Sequence, residues 1–268
     1  MRIGFIGLGD QGGPMAGRLI AAGHPVVLWA RRAESLAPYR DTAATCADSI
    51  AELGAACGFV GICVVDDAGV RQVCDALIPA MAPGGIIAIH STINPRTCID
   101  LAASARDRGL SLIDAPVSGG GHVAAEGKLT VMVGGDEAPV AIARPIFAAF
   151  ASLVLHLGGL GAGQNAKLIN NTLLAANMAL AHHALDAGAA LDLDRAALVE
   201  LIKASSGRSY GFDVRARLPS LAAFAHGGAL LAKDSRLLGE VLGDDPGGTA
   251  LRDIADPFLA LATAKAQD

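Results

Sequence analysis

Lys167 and Asn171 are the two side chains of this 268-residue chain best spaced to move a proton. The segment Gly161-Ala-Gly-Gln-Asn-Ala-Lys-Leu-Ile-Asn-Asn-Thr runs on through 173–185 with scarcely a charge. A helix is expected over about 165–191, and residues four apart share one of its faces. So apolar a helix is normally buried, and an ammonium buried there tends to give up its proton. A lysine in that position can serve as acid or base near neutral pH. The competing reading is a lysine of the first helical turn that snorkels to solvent. The segment alone does not choose between them.

A second group of residues is suited to phosphate. Gly7-Leu8-Gly9-Asp10-Gln11-Gly12 directly follows the apolar run 3–6 and opens a helix expected over 13–22. In such a turn the first glycine permits the tight bend, the second lets the backbone approach a pyrophosphate, and the third allows close helix–strand packing. Free amides at the helix start meet the negative charge. The glycine pattern alone is weak, and its place between strand and helix is what makes it specific. About twenty residues further on, an NAD site normally offers Asp or Glu to the ribose hydroxyls. This chain offers Val27-Leu-Trp-Ala-Arg31-Arg32. Two guanidiniums suit a 2′-phosphate, which favours NADP over NAD. Merely exposed helix-start arginines are the alternative. A third group is Asp114-Ala-Pro-Val-Ser-Gly-Gly120. Successive amides around Ser118, Gly119 and Gly120 could hold a substrate carboxylate, although an ordinary glycine-rich turn would read the same.

The elements that must position these groups change character along the chain. Up to about residue 160, short apolar runs (3–6, 25–30, 59–65, 86–90, 112–114, 129–133, 153–157) alternate with helical stretches such as 13–22 and 67–81. That alternation indicates a parallel sheet covered on both faces. After the glycine cluster 158–163 the pattern is helical only, over about 165–191, 194–205, 214–224, 233–242 and 248–264. The expected fold class is α/β. A Rossmann-type, doubly wound, mostly parallel sheet spans 1–161, and an all-helical domain for substrate and oligomerisation spans 162–268. The extended run ending at Val65 would line the cofactor side. Asp66 and Asp67 read as a cap for the helix that follows.

Composition narrows the class further. Hydrophobic residues make up 52% and charged residues 18%, with a net charge of −5, which gives no support to a nucleic-acid partner. Cys46, Cys57, Cys63, Cys74 and Cys98 form no Cys-x-x-Cys pair, so reduced thiols are expected and neither zinc nor a disulfide framework is suggested. His182 and His183 are adjacent and point about 100° apart on a helix, which does not make a metal pair. Asp10, Gln11 and the glycines interrupt the opening apolar run too soon for a signal segment. The one long apolar helix carries His182, His183 and Asp186, so no membrane span and a cytoplasmic location are expected.

Four blocks of this sequence resemble the β-hydroxyacid dehydrogenase family, which includes 3-hydroxyisobutyrate dehydrogenase, tartronate semialdehyde reductase and glyoxylate or succinic semialdehyde reductases. They are the stretch 7–16, the 114–120 loop, Gly161-x-Gly-Gln-x-x-Lys167-x-x-Asn-Asn171, and Lys233-Asp234. A weaker fifth is Ser91-Thr92. The resemblance implies Lys167 as catalytic acid/base and Asn171 as the residue orienting it and the substrate. Ser118, Gly119 and Gly120 would hold the substrate carboxylate, while Thr92 and Lys233 would line the cofactor and cleft. Lys233 could also supply a charge that lowers the lysine pKa. The implied reaction is reversible hydride transfer between NADP or NAD and a small β-hydroxy acid or semialdehyde. Relatives of this kind form homodimers or homotetramers, and the apolar face around Leu173–Leu185 suits such an interface. Arg208 and Tyr210 are further candidates for selectivity. Two departures stand out: Gln11 replaces a usual Met, and the chain stops at Asp268, earlier than relatives usually do. The alternatives are an imine reductase, which generally lacks a lysine matching Lys167, an oxidative decarboxylase of the 6-phosphogluconate kind, and a non-catalytic NADP-binding module.

Overall fold

The computed structural model describes residues 1–264. The chain divides into two compact units, Met1–Lys167 and Leu168–Asp268. In the first unit β1 (Ile3–Ile6), α1 (Gly12–Ala21), β2 (Val26–Trp29) and β3 (Thr45–Cys46) are followed by α2 (Ile50–Ala56), β4 (Phe59–Ile62), α3 (Asp67–Leu77) and β5 (Ile86–Ile89). Next come α4 (Pro95–Arg106), β6 (Ser111–Asp114), β7 (Val117–Ser118), α5 (Gly120–Ala125), β8 (Leu129–Gly134), α6 (Glu137–Phe147) and β9 (Ala151–Gly158). α7 (Ala162–Ala190) begins in this unit, and the division falls within it.

Strand order in the sheet is β3-β2-β1-β4-β5-β6-β8-β7, with β9 also paired to β8. The ladders from β3 to β6 are parallel, and β8 runs antiparallel to β6 and β7. Side chains alternate across a strand, and here both faces are buried. Ile3, Phe5, Ile86 and Ala88 join one core with Met15 and Leu19 of α1 and Phe147 of α6. Ile6, Ile87 and Ile89 join the other with Leu53 of α2, Val70 and Leu77 of α3, and Leu101 of α4. This is the doubly wound, mostly parallel Rossmann-type sheet that the alternation indicated. The chain leaves β1 on opposite sides toward β2 and β4, so the strand order reverses there. Open α/β sheets bind ligands at the carboxyl ends of strands at such a switch.

The second unit is helical: the rest of α7, α8 (Arg195–Ala204), α9 (Tyr210–Arg217), α10 (Ala225–Leu242) and α11 (Pro246–Thr263). Ala175, Met178 and Ala179 of α7 pack with Leu231 of α10 and Phe258 and Leu259 of α11. The expected helix at 214–224 is corrected. Ser209 accepts a bond from the Phe212 amide and starts α9 at Tyr210, so hydroxyl capping ends the polar turn earlier than the apolar periodicity suggests. The segment Ala222–Phe224 is a 3₁₀ turn, and α10 starts at Ala225 rather than 233. Two short strands, β3 and β7, went unrecognised because two residues carry no periodicity. Among the described residues no helix is long and apolar enough to cross a membrane.

Candidate active site

The three glycines of the first turn have three different surroundings. Gly7 adopts φ +97°, and a Cβ on it would sit 2.1 Å from the Cys63 carbonyl oxygen. On Gly12 a Cβ would come 2.0 Å from the oxygen of Gly7, so the helix and turn can close only without a side chain. Gly9 has nothing within 4 Å of its would-be Cβ. The turn is thus closed beneath and open above at the residue where a pyrophosphate would approach. Gln11, at the N-cap of α1, makes no side-chain cap, and the first turn holds no acid. The start of α1 therefore carries no carboxylate of its own.

The opening continues into a cavity of about 670 Å³ whose wall includes Gly7, Leu8, Gly9, Arg31, Arg32 and Val65. That volume lies in the ordinary range for a bound small molecule. Arg31 and Arg32 are exposed on its rim, and Arg32 stands 3.9 Å from Glu34 in a loose surface pair. Burial pushes the Cys63 thiol beside the turn up to about 12, so it adds no charge. Asp66 accepts from the Gly69 amide at 2.9 Å, which makes it a helix cap rather than a ligand. Asp10 and Gln11 complete the turn. A Cβ on Gly121 would lie 2.3 Å from the Asp10 oxygen, so α5 is packed directly against it. An adenine dinucleotide phosphate fits this set: open amides, a glycine with free space, and cations at the far rim.

Ser118 ends β7, paired with Thr130 of β8, and Gly119 and Gly120 follow at φ +136° and +77°. Side chains rarely adopt those values, so glycine is needed to swing the chain from strand into α5. Ser118 is half-buried, and the two glycines are exposed.

Lys167 is 8% exposed, which decides its first alternative: it does not snorkel to solvent. What fixes its turn of α7 is Asp114 at the end of β6. That carboxylate is fully buried and accepts the Gly161 and Gln164 amides at 2.7 Å each. It caps a helix 47 residues away. Burial raises the Asp114 pKa, and the Gly161 and Gln164 amides oppose the rise. The Gln164 side chain, also fully buried, donates to the Ser91 carbonyl at 2.8 Å and accepts from the Ile93 amide at 3.1 Å. Half-buried Thr92 lies between those two residues. Ser91 Oγ in turn accepts from the Val64 amide of the cofactor cavity at 2.8 Å. Behind Ser91, His90 is bonded to the Ala115 oxygen and ringed by Phe5, Phe147 and Phe150. Burial lowers its pKa to about 4, so it is a neutral core residue.

In the second unit Asn171 Nδ2 donates to Asp234 Oδ2 at 2.6 Å, and Lys233 Nζ lies 2.8 Å from Asp234 Oδ1. The latter is an ion pair without aligned hydrogen-bond geometry, since that oxygen has no directed donor. Asp234 is the bridging residue, and residue spacing gave no sign of that role. Asp67 was likewise missed as an anchor: it accepts from the Asn94 amide at 3.0 Å and the Thr97 hydroxyl at 2.6 Å. Arg208 and Tyr210 are exposed.

Residues 2–158 match the model described as the NAD binding domain of 6-phosphogluconate dehydrogenase. Residues 161–244 match that of NADP-dependent 3-hydroxyisobutyrate dehydrogenase. The NAD-dependent L-serine dehydrogenase of Pseudomonas aeruginosa is 38% identical over 224 residues, 80% of this chain and 72% of that one. The chain belongs to the β-hydroxyacid dehydrogenase family. Among solved structures, the Mycobacterium tuberculosis 3-hydroxyisobutyrate dehydrogenase with L-serine superposes at a TM-score of 0.84 and 29% identity, covering 97% of this chain and 94% of that one. Psf3 in complex with NADP+ and 2-OPP gives 0.79 at 28% identity, covering 97% and 91%. As a β-hydroxyacid dehydrogenase, this protein is an NAD(P)-dependent oxidoreductase acting on CH–OH groups.

Proposed function

We propose that this β-hydroxyacid dehydrogenase interconverts a small β-hydroxy acid and its semialdehyde, using NADP, with Lys167 as the general acid/base. The observation that carries this reading is the burial of Lys167 on a helical turn clamped to the ends of β5 and β6. When bound, the nicotinamide supplies or accepts the hydride. Lys167 Nζ gives a proton to the nascent alkoxide in reduction and takes it from the hydroxyl in oxidation. Asn171, one turn further along α7, orients lysine and substrate. Ser118 and the amides of Gly119 and Gly120 hold the carboxylate. Thr92 and Val65 border the nicotinamide end, and Lys233 contributes a cation to the cleft. Arg31 and Arg32 favour NADP because a forked guanidinium matches a 2′-phosphate. L-Serine, named with two of the similar proteins, sets the size class of the substrate.

The helical unit would serve oligomerisation: Ile169, Leu173 and Leu180 of α7 are about half exposed, an apolar stripe suited to a second copy. Sedimentation of a Leu173→Glu, Leu180→Glu protein tests that assignment, which fails if the native assembly is unchanged.

The decisive experiment is Lys167→Ala, assayed with NADP and NAD on three- and four-carbon hydroxy acids and semialdehydes. Turnover is expected to fall by roughly 10²–10⁴. Near-normal turnover would overturn the assignment.

A further inference from the structure

Gln164 carries more contacts than its place in a helix requires. Its amide N–H donates to Asp114, and its side chain bonds both neighbours of Thr92. It lies three residues before Lys167, on the same side of α7. Through Ser91 the same network reaches the Val64 amide in the wall of the cofactor cavity.

We propose that Gln164 is a positioning residue for the reaction: its carboxamide sets the separation between the Thr92 loop, which borders the cofactor, and the Lys167 turn, which carries the proton. The proposal rests on the reading of Lys167 as acid/base. The physical basis is the steep dependence of rate on alignment, because a misplacement of about 1 Å can cost about 10²-fold in turnover. A carboxamide is matched to the task, since the loop offers one buried carbonyl and one buried N–H. Only a side chain with one donor and one acceptor satisfies both. Thr92, the residue between them, is thereby fixed in register with the helix.

The test uses Gln164→Met and Gln164→Glu in the full-length protein. Methionine keeps the shape and removes both bonds. Glutamate in its ionised form keeps an acceptor for Ile93 but sets a carboxylate against the Ser91 carbonyl. Protonated, it restores the match: its O–H donates to Ser91 and its C=O accepts from Ile93. The titratable groups facing this position are the Asp114 carboxylate, the Cys98 thiol and, three residues on along α7, Lys167, whose ammonium form would oppose protonation. Full burial and the neighbouring Asp114 favour the protonated form of the introduced carboxyl, so its pKa is expected inside the tested range.

Gln164→Met is expected to lower kcat by roughly 10–100-fold, with the NADP Kd and hydroxy-acid KM within about threefold of wild type. For Gln164→Glu, the ratio of its kcat to that of wild type at the same pH is expected to climb as pH falls from 8.5 to 5.5. A ratio flat across that range, or a normal kcat in folded Gln164→Met, overturns the positioning role and leaves a structural clamp. If Gln164→Met does not fold, the pH ratio of Gln164→Glu decides alone. Lys167→Ala is run alongside. Normal turnover in that variant removes the acid–base reading itself. Its loss together with a flat Gln164→Glu ratio removes only the positioning role.

Discussion

Two helix N-termini lie at the carboxyl edge of the same sheet, and they are finished in opposite ways. α1 begins with no side-chain cap, no acid in its first turn and open space above Gly9. α7 begins on a buried carboxylate from another strand, with both Asp114 oxygens engaged at 2.7 Å. Each terminus presents the same orphan amides and positive dipole end. A terminus left open can take a ligand's charge, and one already filled becomes an anchor. The first would receive the mobile reactant, and the second fixes the turn of the lysine that would meet it.

The sharpest way to break this comparison is to fill the open terminus from within. Gly12→Ala would drive a Cβ to 2.0 Å from the Gly7 oxygen. Backbone cannot yield as a side chain tip can, so a loss of about 2–3 kcal/mol is expected, together with loss of NADP binding. Gly9→Ala meets no atom within 4 Å. It should leave stability within about 0.5 kcal/mol while weakening the NADP Kd about tenfold or more. Thermal unfolding and cofactor titration on the two variants check the contrast. Equal effects would mean that Gly9 does not face the cofactor.

The filled terminus is tested by Asp114→Asn, which keeps one acceptor and surrenders the other. A cost of about 1–2 kcal/mol is expected at about pH 4, from leaving one buried amide without its acceptor. Its pH dependence has a definite sign. Burial raises the folded-state pKa above the ordinary aspartate value of 3.8. In the window above 3.8 the folded chain therefore holds more protons than the unfolded one, and its stability falls as pH rises. The wild-type advantage over Asp114→Asn should narrow between pH 4 and 7 in urea titrations. A gap that widens would show that the two amides outweigh burial and that the anchor works as an anion.

On the ligand side, a smaller effect separates phosphate recognition from the turn itself. Replacing Arg31 and Arg32 together by Ala is expected to lower kcat/KM with NADP roughly 10–100-fold, in line with the loss of a bidentate charged contact. The value with NAD should move by less than about threefold, because the ribose diol does not need the guanidiniums. Equal losses with both cofactors would leave the pair as surface charge.

The open terminus was legible and the filled one was not, for a physical reason. Gly7, Gly9 and Gly12 act through backbone geometry within six residues, so their spacing states their purpose. β1, β4 and β5 announced themselves as apolar runs between breakers for the same reason. Asp114, by contrast, acts across 47 residues and Gln164 across 73 to Ser91. No local period links them. The only available signs were an acid at the end of an otherwise buried strand and a polar residue in an apolar helix. Lys167 and Asn171 were visible as a helical pair, but Asp234, which binds Asn171, lies 63 residues on. α9 started on its Ser209 cap rather than on apolar spacing, which is why it began earlier than its hydrophobic pattern suggested.

An ordinary cap supplies the scale for these effects and the smallest of the expected ones. Asp194 is exposed and accepts the Ala197 amide at 2.8 Å to start α8. Its carboxylate does for α8 what Asp114 does for α7, but it reaches only three residues and remains in water. Asp194→Ala should cost about 1 kcal/mol, the usual value of a local N-cap. Turnover and cofactor affinity should be unchanged, since α8 carries none of the residues assigned to the reaction. The difference between this loss and that of Asp114→Asn measures what burial and long-range tethering add to the same bond. If the two variants lose equal stability and neither loses turnover, α7 is capped like any other helix and the anchor has no bearing on Lys167.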